Sequence, residues 1–182
     1  MKIVKVLKGF MNRELLYFLF INLFTINLLF AQQPFATWTK SELILNNGVV
    51  ERKINFPAST GNFGTTIYKP VTGEFKYFEK NNPEFQFEIN GKIYSGLGNW
   101  MLMDTQKISD DKAGNGASVT LLSEDKQVEL TLNYLLYPNL PVIRKSLTIK
   151  NLSPEVAVLE SVDVEKFNVT GYFATTFSWI CH

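Results

Sequence analysis

The stretch VELTLNYLL at residues 128–136 decides the fold class of this 182-residue chain. Its apolar residues recur at every second position, and glutamate, threonine and asparagine occupy the positions between them. Side chains of a β-strand point alternately to opposite faces, so this pattern predicts a strand with one buried and one solvated face. The apolar spacing of three and four residues that is typical of a helix is almost absent after residue 31.

The residues that follow extend this strand into a predicted meander. Residues 137–141 contain two prolines, which lack the amide hydrogen that a β-ladder needs, so they predict a turn. Alternation resumes at 143–150, which predicts a hairpin with 128–136. After a second turn at 151–154, a third strand is predicted over 156–167, and a shift of its parity near Glu160 indicates a β-bulge.

The first half of the chain shows the same alternation, interrupted by asparagine and glycine. Such residues favour tight turns because they tolerate a positive φ. The predicted elements are strands at 38–45 and 49–56 around an Asn-Asn-Gly turn, strands at 84–89 and 92–94 around Asn90-Gly91, short strands at 65–68 and 118–122, and a polar loop at 104–116. We therefore predict an all-β protein, a mostly antiparallel β-sandwich.

The N-terminus has the pattern of a secretory signal. Residues 15–31 carry no charge and end in Ala31, and the basic residues upstream of them are Lys2, Lys5, Lys8 and Arg13. We predict a signal peptide at 1–31, cleaved after Ala31, and export of residues 32–182 to the periplasm or the extracellular space. The alternatives are an uncleaved anchor, since an uncharged run of 17 residues approaches the length that spans a bilayer, and a start at Met11.

The charge balance argues against nucleic acid as a partner. The whole chain has 18 basic and 17 acidic residues. Loss of the predicted signal removes four basic and one acidic residue, which leaves 14 against 16 and a formal charge of −2. No basic patch remains of the kind that neutralises phosphates. The length of about 150 residues fits one domain.

Few residues offer material for catalysis or metal binding. His182 is the only histidine and Cys181 the only cysteine, so a catalytic triad, a histidine metal site or an intramolecular disulfide has almost nothing to draw on. The adjacent carboxylates at 110–111 and 124–125 lie in hydrophilic surroundings and are read as solvated charge. Asp163 and Glu165 are expected to face solvent. We predict no catalytic residue, no metal site and no cofactor.

Aromatic residues are the remaining candidates for binding. Aromatic faces cover the apolar C–H surface of sugar rings, while tyrosine and tryptophan keep a polar atom for hydrogen bonding. The candidate carbohydrate-binding residues are Trp100, Tyr94 and Trp179. Trp100 follows glycines in the run GLGNW at 96–100, which predicts a loop position. The alternative is that these large side chains fill the core of the sandwich.

The second half of the chain resembles a known family. The runs VELTLNY at 128–134, LPVIRKSLTIKN at 140–151 and VLESVD at 158–163 resemble the N-terminal domain of family-36 glycoside hydrolases, the α-galactosidase group. The resemblance implies a mutarotase-like β-supersandwich. It also implies a non-catalytic role, in which the domain packs on a following (β/α)₈ barrel and contributes to the oligomer. Both catalytic aspartates would lie on that barrel.

Together these patterns predict the N-terminal sandwich domain of a secreted carbohydrate-active enzyme. Residues 177–182 are apolar and aromatic, whereas domains usually end in polar residues, so we expect a fragment that stops before the catalytic barrel. Its partner would be a glycan or that missing catalytic domain, with membrane contact only through the export signal. The alternatives are a free-standing exported carbohydrate-binding or adhesion module and a purely structural exported protein.

Overall fold

The computed structural model describes residues 35–72, 82–110 and 114–167. Within these ranges the regular structure consists of β-strands in antiparallel sheets, without a helix, which confirms the predicted all-β, mostly antiparallel class. In this described part no helix is long and apolar enough to cross a membrane. The predicted signal peptide at 1–31 lies outside the described residues.

The first sheet contains, in spatial order, β1 (Ala36–Trp38), β2 (Glu42–Asn46), β3 (Val50–Asn55), β4 (Gly64–Pro70) and β5 (Asn82–Pro83). The predicted hairpin around Asn-Asn-Gly is confirmed as β2–β3. The Asn47 side-chain oxygen accepts hydrogen bonds from the amides of Val49 and Val50, both at 3.0 Å, and Gly48 has a φ of +85°, which favours glycine. The strand predicted over 38–45 is wrong at its start, because the chain turns at 39–41 and β1 pairs back on β2.

The second sheet contains, in spatial order, β11 (Ile143–Asn151), β10 (Val128–Leu136), β9 (Gly114–Ser123) and β8 (Trp100–Asp110). The strand predicted at 128–136 is confirmed without change as β10, and its hairpin with β11 is confirmed. Alternate residues of β10 are buried, including Leu130, Leu132 and Tyr134. Both β10 and β9 lie between two partners, and each has a fully buried apolar face.

The polar loop predicted at 104–116 is wrong. Most of it belongs to β8 and β9, which pair from Trp100 opposite Ser123 to Asp110 opposite Gly114. β8 is an edge strand, and its exposed positions carry charged and polar side chains such as Asp104, Gln106 and Lys107. A solvated edge strand needs few apolar residues, so its composition is easily mistaken for that of a loop.

The third sheet contains, in spatial order, β12 (Leu159–Asp163), β6 (Gln86–Ile89) and β7 (Lys92–Ser95). The predicted hairpin around Asn90-Gly91 is confirmed as β6–β7, with positive φ at both turn residues. The predicted meander through β10, β11 and 156–167 is wrong, since β12 pairs with β6 in a different sheet and spans only five residues. The predicted bulge is confirmed by a register shift between Leu159 and Ser161.

The Asn90 side chain helps to direct β12 to this sheet. Its oxygen accepts a hydrogen bond from the Val158 amide at 2.8 Å, and its nitrogen donates to the Val156 carbonyl at 3.1 Å. The backbone amide of Asn90 also donates to the Val158 carbonyl at 3.1 Å. These long-range bonds fix the entry to β12, and strand periodicity alone does not reveal them.

One hydrophobic core draws on all three sheets. At its centre Phe85, Phe87, Tyr94 and Trp100 form an aromatic group, in which Phe85 meets Trp100 edge-on with ring centroids 5.3 Å apart. Phe87 stacks on Tyr94 at the same centroid distance. Complete burial of one such side chain stabilises a fold by about 1.5–3 kcal/mol, so this group is a principal source of stability.

The described residues leave the apolar side of β12 uncovered. Leu159 lies opposite Ile89 and Val162 opposite Phe87, and paired residues of neighbouring strands point to the same side of a sheet. Ile89 and Phe87 are buried, yet Leu159 is 51% and Val162 is 40% exposed. The exposed apolar side chains on β12 and in the residues next to it, which we call the β12 face, are Val156, Val158, Leu159, Val162 and Val164.

Candidate functional site

A surface pocket of about 240 Å³ lies beside β7, the start of β8 and the turn between β9 and β10. Its polar lining comes from Lys92 and Ser95 of β7, Asn99 before β8, and Glu124 and Asp125 of the turn. Tyr94 and Trp100 also line it. The pocket therefore combines charged, amide and hydroxyl groups with the margin of the aromatic core.

Asp125 organises one side of this pocket. Its Oδ1 accepts hydrogen bonds from the Ser123 hydroxyl at 2.5 Å and the Gln127 amide at 3.0 Å. Its Oδ2 accepts from the Lys92 ammonium at 2.5 Å and the Tyr94 hydroxyl at 3.0 Å. The carboxylate thus connects the β9–β10 turn to β7 and sets the positions of the neighbouring polar groups.

The ionisation of this group follows from its hydrogen bonds. Burial opposes the charge of Asp125, but the donors Lys92, Ser123 and Gln127 hold its pKa well below the ordinary value. The hydrogen bond to Asp125 raises the pKa of Lys92. Burial is the main cause that raises the pKa of Tyr94, and the Asp125 carboxylate raises it further. At neutral pH, Asp125 and Lys92 are therefore an ion pair beside a neutral phenol.

Two of the three predicted carbohydrate-binding residues meet at the pocket. Tyr94 and Trp100 have ring centroids 6.2 Å apart, whereas Trp179 lies outside the described residues. The loop position predicted for Trp100 is wrong, because it is the first residue of β8 and only 1% exposed. Its indole N–H donates to the Ser95 carbonyl at 2.8 Å.

Neither ring offers an open face for stacking. One face of Tyr94 is covered by Phe87, and the Lys92 ammonium lies 5.0 Å from its centroid. Trp100 packs against Phe85 and Phe87 in the core. Any recognition at this pocket must therefore depend on its polar groups. Whether the predicted residues bind carbohydrate stays a prediction.

The carboxylates at 124–125 differ in their surroundings. Glu124 is exposed, as expected for a solvated charge. Asp125 is also exposed as a residue, but its side chain is only 24% exposed and holds an ion pair with Lys92. Lys92 lies 33 residues away, and the pairing depends on the approach of β7 to the β9–β10 turn, so no local sequence pattern reveals it.

A second polar group lies inside the sandwich. Arg52 lies on β3 and Glu84 directly before Phe85, while Lys145 lies on β11 and Glu165 in the segment after β12. We call these four residues the charge cluster. Arg52 contacts Glu84 at 2.8 Å and Glu165 at 2.7 Å, and Lys145 contacts the same carboxylates at 2.8 and 3.3 Å. Two cations thus balance two anions.

Hydrogen bonds saturate the most deeply buried member of the cluster. Glu84 is fully buried and accepts from the Tyr134 hydroxyl at 2.8 Å and from the Thr65 hydroxyl. The Arg52 Nε donates to that Thr65 hydroxyl at 2.9 Å. Buried charges persist where they are paired and hydrogen-bonded, and Glu84 meets both conditions.

The cluster keeps its carboxylate ionised. Burial alone would raise the pKa of Glu84, but the positive charges of Arg52 and Lys145 outweigh it and lower the pKa to about 2. Burial would lower the pKa of Arg52, whereas Glu84 and Glu165 raise it further. Burial and the nearby Glu84 raise the pKa of Tyr134. A general acid needs a carboxyl whose pKa lies near the working pH, so Glu84 is suited to structure and not to proton transfer.

The sequence pattern does not reveal this cluster, and the solvent-facing position expected for Glu165 is wrong. Glu165 is only 16% exposed because its carboxylate contacts Arg52 and Lys145; Asp163 is exposed as expected. One usable signal existed. Arg52 shares the parity of Val50 and Ile54 on β3, and a charged residue at an apolar position of a strand predicts a buried ion pair.

Comparison with known proteins gives no further assignment. No family model matches the chain, and neither the curated proteins nor the solved structures contain a match. In the three described ranges, no group of three or more histidine, cysteine, aspartate or glutamate side chains is arranged to hold a metal ion.

Proposed function

We propose that this chain is the non-catalytic N-terminal sandwich domain of an exported carbohydrate-active enzyme, similar to the α-galactosidase group of family-36 glycoside hydrolases. The β12 face would pack against the catalytic domain, and the sandwich would be of the mutarotase-like, supersandwich type. Export rests on the signal pattern at 1–31. The uncovered apolar side of β12 is the observation that carries the proposal.

The β12 face is suited to contact with another domain. Val156 is 85% exposed, and Leu159 and Val162 lie uncovered on the side of the sheet where Ile89 and Phe87 are buried. Soluble monomers rarely expose contiguous apolar patches of large size, and such patches commonly mark interaction sites. A covering domain would extend the existing core across β12.

The charge cluster supports this role by fixing the segment that follows β12. Arg52 donates to both oxygens of Glu165, at 2.9 and 2.7 Å. The Phe167 ring lies 5.3 Å from the same guanidinium and 6.2 Å from the Tyr68 ring. Residues 165–167 are therefore held against β3 and β4, which gives the β12 face a defined orientation.

The nucleotide sequence after codon 182 tests this proposal. We expect the reading frame of the genomic locus to continue into alternating strands and helices, with aspartates at the carboxyl ends of the strands. An in-frame stop followed by unrelated sequence, confirmed on an independent genomic read, would contradict the proposal.

The pocket favours a second candidate function, a free-standing exported carbohydrate-binding or adhesion module. Polar groups converge there beside an aromatic margin, a common arrangement in small-molecule sites. This function would leave the β12 face unexplained, so we place it second. An in-frame stop after codon 182 together with glycan binding by the purified chain would favour it over the first.

A further inference from the structure

We propose that the surface pocket between β7, β8 and the β9–β10 turn binds one neutral pyranose unit, to which Lys92 donates hydrogen bonds and from which Asn99 and Glu124 accept them. This goes beyond a supporting role for the domain, because it assigns a ligand site on the domain itself. It does not depend on the β12 face. It does depend on how many hydrogen bonds the pocket groups can still form.

The unused hydrogen-bonding capacity is mixed. Asp125 already accepts four hydrogen bonds, so it supports the site and does not bind the ligand. The Lys92 ammonium has three protons and gives one to Asp125. Within the described part of the chain, Glu124 Oε1 and the Asn99 side-chain oxygen accept no hydrogen bond. Two donors and two acceptors are therefore available.

Ligands that carry hydroxyl groups match this mixture. Each hydroxyl donates one hydrogen bond and accepts others, so adjacent hydroxyls of a sugar ring can donate to Glu124 and Asn99 while another accepts from Lys92. A purely accepting ligand would leave the two protein oxygens unmatched, and a purely donating ligand would leave the ammonium unmatched. Unmatched polar groups cost affinity when they are desolvated.

The charge of the pocket argues for a neutral ligand. Glu124 and Asp125 contribute two negative charges and Lys92 one positive charge, so phosphate, sulfate and carboxylate ligands would meet a net negative site. The Lys92 ammonium would repel a metal ion next to Asp125. A neutral polyol avoids both penalties.

The size and rigidity of the site suit a single sugar ring. Its volume of about 240 Å³ lies below the range of sites for drug-sized ligands. Asn99 and Glu124 hold each other through two hydrogen bonds, from Asn99 Nδ2 to Glu124 Oε2 at 3.0 Å and from the Glu124 amide to the Asn99 carbonyl at 3.2 Å. Groups that are already ordered lose less entropy on binding.

Gly98 lies at the pocket wall beside Trp100. A Cβ at this position would lie 3.8 Å from the Trp100 indole nitrogen and 3.0 Å from the Ser95 carbonyl. A side chain there would occupy space beside Trp100 at the pocket wall.

Saturation-transfer NMR and calorimetry with the purified full chain test the proposal. The probes are the methyl glycosides of glucose, galactose and mannose, with inorganic phosphate as the charged comparison. We expect saturable binding of at least one glycoside with a Kd on the order of 1 mM, as is usual for few hydrogen bonds and little buried surface, and no binding of phosphate.

Variants identify the groups that bind. Glu124→Met and Lys92→Met should each weaken binding by about tenfold, the effect of losing a hydrogen bond to a charged group. Glu129→Gln, an acidic residue of β10 outside the pocket, should leave binding unchanged. Absence of saturable glycoside binding, preferential binding of phosphate, or full affinity in both pocket variants would overturn the proposal. None of these results bears on the reading frame after codon 182.

Discussion

Replacement of Glu84 by glutamine is expected to lower the free energy of unfolding by about 3–5 kcal/mol. The substitution keeps the shape of the side chain but removes one of the two negative charges that face Arg52 and Lys145. Both cations are almost fully buried, so the variant leaves two positive charges against the single carboxylate of Glu165. Urea denaturation followed by circular dichroism measures the loss.

The matched control for this variant is Glu129→Gln. Glu129 also forms an ion pair, with Lys150 at 3.3 Å, but both side chains lie at the surface. Exposed pairs contribute about 0–1 kcal/mol, so the control should unfold at nearly the same urea concentration as the unmodified protein. Equal midpoints for Glu84→Gln and Glu129→Gln would contradict a structural role for the charge cluster.

The stability of the protein should also fall in acid through Glu84. Its pKa is lowered from 4.5 in the unfolded chain to about 2 in the fold. A lowered folded-state pKa contributes stability above the unfolded value, and this contribution is lost as the pH falls from 4.5 towards 2. The expected loss is about 3 kcal/mol, because each pKa unit corresponds to about 1.4 kcal/mol.

Urea midpoints measured from roughly pH 6 down to pH 2 test this dependence. The unmodified protein should lose stability most steeply between pH 4.5 and 2. Glu84→Gln has no carboxyl at this position, so its free energy of unfolding should fall by about 3 kcal/mol less over this window. At low pH its urea midpoint should approach that of the unmodified protein. Parallel curves across the window would show that Glu84 does not control acid stability.

Local periodicity predicted much of this fold because strand alternation and tight turns are short-range features. β10 was predicted at its observed limits, and Asn90-Gly91 forms the predicted turn. The destination of β12 was not predictable in this way. Its pairing with β6 depends on contacts of Asn90 with residues 66 to 68 positions later.

The charge cluster and the pocket escaped prediction for a related reason. Arg52 and Glu165 are 113 residues apart, and sequence neighbours of either residue carry no sign of the other. Trp100 was misplaced because its glycine-rich surroundings resemble a binding loop, whereas these residues allow the chain to enter β8 with the indole buried. Only the parity of Arg52 on β3 gave a local indication of a buried charge.

The association state of the purified chain tests most directly whether the β12 face is a docking surface. Size-exclusion chromatography with light scattering compares the unmodified chain with the triple variant Val156→Thr, Val158→Thr and Val162→Thr. These changes keep the side-chain shape and the β-propensity but make the surface polar. Val142→Thr, at an exposed valine outside the β12 face, is the control.

We predict that the unmodified chain self-associates as its concentration rises, because the described residues leave the β12 face uncovered. The triple variant should stay monomeric, and Val142→Thr should associate like the unmodified chain. An unmodified chain that remains a monodisperse monomer at every concentration, with no binding of a hydrophobic dye, would contradict the claim that β12 carries a docking face.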